Sequence, residues 1–168
     1  MDDAFAKEVG DFEDLAALRV AVRHDLEQEA AREADAAVRE QLVQSIVDAN
    51  QIEAPPSLVE RMIHAFLHAY EVPPERHEAF HTEFRPVAAA QVRRELVINA
   101  VAERHGLRAT EAEMDARVQR IAETRGVSPA EVYASLEKSK RLGELERSLT
   151  EDKVFELLLP QSNVQQGP

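Results

Sequence analysis

The residues most like a reaction centre are His77-Glu78-Ala79-Phe80-His81, a literal H-E-x-x-H. On a helix its two imidazoles share a face and can hold Zn²⁺ while Glu78 acts as general base, the arrangement of a metalloprotease. Such a site wants an apolar, buried helix, whereas Pro74, Glu75, Arg76 and Glu83 flank this one. We expect a solvated segment with adventitious metal affinity at most. His64 and His68, at the same spacing, take the same reading. No Ser-His-Asp set, phosphate-binding Gly loop or isolated carboxylate pair stands out, because acids are spread along the solvated helix faces. Cysteine is absent, so the chain has no thiolate ligand, thiol nucleophile or disulfide framework. No catalytic residue, metal or cofactor is expected.

The elements that would position any site are helices. Of the 168 residues 44% are hydrophobic, too many for disorder, while only 5% are aromatic and five are Gly. Ala, Glu, Arg and Leu dominate, and they lose little on entering a helix. The fold class read from this is all-α. A formal charge of -12 argues against nucleic acid, whose phosphates need clustered Lys and Arg. No stretch approaches the roughly 20 apolar residues of a membrane span, and Met1-Asp2-Asp3 does not open a signal peptide. A reducing, cytoplasmic setting without membrane contact is the expectation.

The first helix is predicted from Asp14, a good N-cap, to about Asn50, with no Gly or Pro between. Leu15, Leu18, Val22, Leu26, Ala30, Ala34, Val38, Leu42 and Ile46, mostly four apart, predict one apolar stripe. A helix of that length spans about 54 Å, which implies an elongated molecule. Pro55-Pro56 break it, and Ser57 with Glu60 reads as a capping box for a second helix running to about Glu71. A short helical piece over 75–84 and a separate helix from Pro86 to His105 follow, the latter stopped by Gly106. Capping boxes Thr110/Glu113 and Ser128/Glu131 start helices at about 111–125 and 129–139, with Gly126 closing the first. The last helix, about 141–159, ends at Pro160, and the tail 160–168 is expected to be disordered.

Several runs in this order resemble one family. Asp3-Ala4-Phe5-Ala6-Lys7-Glu8-Val9-Gly10-Asp11-Phe12-Glu13-Asp14-Leu15 resembles the junction where bacterial trigger factors leave their peptidyl-prolyl isomerase domain and enter the C-terminal domain. Arg39-Glu40-Gln41-Leu42 through Ala49-Asn50, then Ile52-Glu53-Ala54-Pro55 before Leu58-Val59-Glu60, is similar to the family's helix end and proline turn. Arg93 to Glu103 and Lys153-Val154-Phe155-Glu156-Leu157-Leu158 continue the likeness, which is weakest at 71–86 and in the tail.

The resemblance implies a trigger factor C-terminal (SurA-like) fold: an elongated helical body with two helical-hairpin arms forming a cradle for unfolded or nascent polypeptide, without ATP. The body would take the helix at about 14–50 and the closing helix to about 159, arm one about 51–109 and arm two about 110–149. With Met1 directly ahead of the junction, the chain is expected to be cut from a longer protein. Ribosome docking and prolyl isomerisation, which belong to other domains of the family, are not expected of it, and it would be a monomer or weak homodimer.

Met62, Phe66 and Tyr70 in arm one, and Ile121, Val132, Tyr133 and Leu136 in arm two, are the large apolar side chains that could meet clients. Either they close their own hairpins or several stay open, as apolar patches rimmed by charge. Two other classes remain open at this point: a helical scaffold for one folded partner, and a zinc hydrolase built on His77, Glu78 and His81.

Overall fold

The computed structural model describes residues 2–164, which hold α-helices and short 3-10 turns and no strand. The helices are α1 (Asp3–Val9), α2 (Leu15–Asn50), α3 (Pro56–Ala69), α4 (His77–His105), α5 (Glu111–Arg125), α6 (Pro129–Lys138) and α7 (Leu142–Leu158). The all-α reading holds. Two compact units divide the chain, the first ending at Leu42 and the second beginning at Val43.

In the first unit α1 is an addition to the expected elements. The Asp2 carboxylate caps it by accepting from the Phe5 N–H at 3.1 Å, and Lys7 sits in its last turn, where the helix dipole favours a cation. Asp14 caps α2 as expected, accepting from the Ala17 N–H at 2.7 Å, while Asp3 accepts from the Leu15 N–H at 3.0 Å. Ala6 and Leu18 are buried.

The expected stripe along α2 does not form one face. A step of four residues advances about 400°, so side chains four apart drift about 40° per step and wind around the helix. Val22 and Leu26 are exposed, as are all residues from Glu27 to Ala37. Towards the C-terminal end of α2 the buried positions are Val43 and Val47, and the expected Leu42 and Ile46 are only half-buried, each one place out of register.

The second unit contains two helical hairpins and α7. In the first hairpin Val59 and Ile63 of α3 meet Ala88 and Val92 of α4, with Leu58, Met62, Phe66, Leu67 and Leu96 packed around them. The expected Ser57/Glu60 capping box is absent, since α3 starts at Pro56 with no side-chain cap and Glu60 is engaged across the hairpin. Two separate helices over 75–105 are likewise replaced by a single α4 with Pro86 inside it. The proline leaves the Thr82 carbonyl without its helix donor, but α3 packs against residues on the C-terminal side of Pro86 and ties down His81 and Arg85 on the other. That two-sided grip keeps the helix continuous.

Both remaining capping boxes are present: Glu113 accepts from the Thr110 N–H at 2.7 Å and Glu131 from the Ser128 N–H at 2.9 Å, with reciprocal bonds to each hydroxyl. They open α5 and α6, whose hairpin core is Val118, Ala122 and Val132. α7 packs on α4, α5 and α6. Its buried Thr150 hydroxyl accepts from the Ala109 N–H at 3.0 Å, Lys153 Nζ reaches Glu113 at 2.8 Å, and Arg94 bonds Glu151 while lying 5.5 Å from the Phe155 ring centroid.

Helix ends share one device. After α2, α3, α4, α5 and α6 a residue with positive φ turns the chain, and the following N–H returns to a carbonyl five residues back, as in Ile52 to Val47 (3.0 Å) and Val72 to Leu67 (3.0 Å). Gly106 and Gly126 do this without strain, whereas Gln51, Glu71 and Lys140 carry a Cβ into the left-handed region. At the other end of the chain, Leu159–Gln161 form a 3-10 turn where a disordered tail was expected from 160, and residues 165–168 lie outside the described residues.

Candidate functional site

The end of the α3–α4 hairpin carries four aromatic rings. Tyr70 is the C-cap of α3, and the left-handed turn at Glu71 (φ 48°) swings the chain back so that α4 brings Phe80 and Phe84 beside it. Tyr70 lies 6.3 Å from Phe66, 6.2 Å from Phe80 and 6.3 Å from Phe84, each tilted, while Phe80 and Phe84 stack at 4.0 Å. These are ordinary attractive ring geometries. The cluster is not closed: Tyr70 remains 65% exposed, and the three Phe rings are half-buried.

An ion cluster holds the two helices together below these rings. Glu60 of α3 accepts from His81 Nε2 at 2.5 Å through one carboxylate oxygen and from Arg85 at 2.7 Å through the other. These bonds, His81 first and then Arg85, hold the Glu60 carboxyl below its usual range. His77 engages differently, its Nε2 lying 2.8 Å from the Val72 carbonyl. The two imidazoles of the H-E-x-x-H motif therefore bind a backbone carbonyl and a carboxylate on α3, each with the nitrogen a zinc site could use. No group of three or more His, Asp or Glu among the described residues is placed to hold a metal ion.

The remaining expected client residues separate by depth. Met62 and Phe66 are half-buried against the α3–α4 core, and Ile121 and Leu136 against the α5–α6 core. Val132 is 4% exposed and belongs to that second core, so it presents no surface. Tyr133, one residue on and 45% exposed, points the other way. Of the seven side chains, the two tyrosines are the open ones. The first unit adds a second apolar opening, a hollow of about 630 Å³ between α1 and α2 bordered by Phe5, Val9, Leu15, Val22 and Leu26.

Residues 14–160 match the family model for the bacterial trigger factor C-terminus. The chain belongs to that family. It is 33% identical to a trigger factor of Anaeromyxobacter sp. (strain Fw109-5) over 98% of its length, and 34% identical to one of Thermomicrobium roseum over 95%. A trigger factor of Desulforudis audaxviator is 27% identical over 98%. The chain spans 41% of the first and third of these relatives and 35% of the second, so it corresponds to a part of a trigger factor.

For this trigger factor C-terminal chain, sequence reasoning missed Phe80 and Phe84 as site residues. The signal was present: two aromatics four apart share a helix face, with Phe80 inside the H-E-x-x-H string itself. The hollow between α1 and α2 was missed because α1 was not expected as a helix.

Proposed function

We propose that this chain is the polypeptide-holding part of a trigger factor: an ATP-independent chaperone module that binds unfolded or nascent chains and catalyses no step. The observation that carries this reading is the ring cluster around Tyr70. A large aromatic side chain that is two-thirds open, fixed by three neighbouring rings and set among charged residues, is a preorganised contact for an apolar segment of a client. Tyr133 and the hollow between α1 and α2 supply further contacts, so that several weak sites can act on one extended client. The net charge of -12 keeps loaded molecules apart. No helix among the described residues is long and apolar enough to cross a membrane, and the family relationship favours the bacterial cytoplasm as its place of action. In this reading the imidazoles of His77 and His81 serve the α3–α4 hairpin.

The test is light scattering of two unrelated denatured proteins diluted into buffer with the chain and without nucleotide. Suppression that weakens in Tyr70→Ser supports the reading. A chain that binds one folded partner stoichiometrically and leaves client aggregation untouched is a scaffold instead.

A further inference from the structure

A cavity of about 350 Å³ opens between α5, α6 and α7. This lies at the small end of ligand pockets, suited to one or two side chains. Ile121, Leu136 and Leu145 form its apolar floor, the same side chains that cover the buried Val118, Ala122 and Val132 from outside. Its rim is cationic. Arg125 stands in the last turn of α5 and Arg141 at the start of α7, where Arg141 Nε donates to Glu144 at 2.8 Å. Glu144 thus compensates Arg141, and Arg125 has no ion-pair partner among the described residues. The dipole of α5 favours a cation in that turn, but it does not neutralise one.

We propose, building on the polypeptide-holding reading, that this pocket selects client segments in which a large apolar side chain is followed closely by aspartate or glutamate. The apolar group fills the floor and the carboxylate pairs with Arg125, with the Ser148 hydroxyl as a further donor on the rim. The preference runs against the whole molecule, whose charge of -12 repels an acidic peptide. At physiological ionic strength that general field is screened beyond about 8 Å, which leaves the local cation to decide. A bias toward acidic segments that depends on Arg125 is therefore diagnostic of this pocket, since Arg108 and Arg147 line a different opening.

The experiment uses two fluorescent peptides, acetylated and amidated so that no terminal charge contributes. They are identical except that one carries Leu-Asp and the other Leu-Lys. Anisotropy titrations should show the Asp peptide bound about two- to fivefold more tightly, the range an exposed ion pair supports. Arg125→Gln should equalise the two and Arg125→Glu should reverse their order. Methyl NMR signals of Ile121, Leu136 and Leu145 should shift with the Asp peptide. Equal binding of both peptides by the unaltered chain, binding of neither, or a preference that survives in Arg125→Gln overturns the proposal. Aggregation suppression by the same preparation separates the two levels: if it persists, only this pocket assignment fails, and if it is absent, the polypeptide-holding reading fails with it.

Discussion

Replacing Tyr70 by Ser should remove client contact at small cost to the fold, and replacing Ile63 by Ala should do the reverse. Ile63 is fully buried between α3 and α4, so its truncation leaves a cavity and is expected to cost about 2 to 5 kcal/mol. Tyr70 is 65% exposed and makes ring contacts with Phe66, Phe80 and Phe84. A single aromatic pair is worth about 0.5 to 1.5 kcal/mol, and three that share one solvated ring do not add in full, which puts the loss near 1 kcal/mol. Tyr70→Phe should lose almost nothing in either respect, since the rings supply the contact. Urea melts and aggregation assays on the three variants, in parallel, measure both quantities. If Tyr70→Ser unfolds as readily as Ile63→Ala, the ring is hairpin core and the argument from its exposure is refuted.

Three further outcomes follow from the helix ends, the proline inside α4 and the α5–α7 link. Glu71→Gly relieves a non-glycine residue at φ 48° and should stabilise the second unit by about 1 kcal/mol in urea melts, a loss of stability being the contrary result. Pro86→Ala restores a donor for the Thr82 carbonyl within α4 and should also stabilise by about 1 kcal/mol in urea melts, unchanged or lower stability being the contrary result. Glu113 is held down from its ordinary 4.5 to about 2, chiefly by Lys153 and then by the N–H and hydroxyl of Thr110. Because the folded value is the lower one, its contribution is complete above about pH 4.5 and is lost as pH falls towards 2. Glu113→Gln should therefore flatten the stability profile in that window, and parallel profiles for the two proteins would count against the link.

Much of the architecture could be read from local chemistry. Thr110 with Glu113, and Ser128 with Pro129 and Glu131, announce α5 and α6 because the bonds that start a helix lie within four residues. Gly106 and Gly126 announce two helix ends because few other residues enter the left-handed region cheaply. Gln51, Glu71 and Lys140 adopt the same turn with no such marker, the neighbouring structure imposing a conformation their side chains do not favour. Long-range competition explains the failures. Glu60 had the right spacing to cap α3, but His81 and Arg85, 21 and 25 residues away in sequence, take its carboxylate instead. Pro86 reads as a helix start until α3 is known to grip α4 on both sides of it. Depth within a hairpin was equally invisible: Val132 and Tyr133 are adjacent and both large, yet one is core and the other surface, which only the direction of α6 against α5 decides. The ring cluster needed the Glu71 turn before Phe80 and Phe84 could be placed beside Tyr70.

Open aromatic side chains on this helical chain are proposed to hold unfolded polypeptide without nucleotide or cofactor. The most direct measurement is the dose dependence of aggregation suppression for one denatured client, comparing the unaltered chain with a Tyr70→Ser, Tyr133→Ser double variant of verified helicity. The unaltered chain should suppress aggregation near stoichiometric ratios, and the double variant should need clearly higher ratios. Equal suppression by both proteins, or none by either, would contradict it.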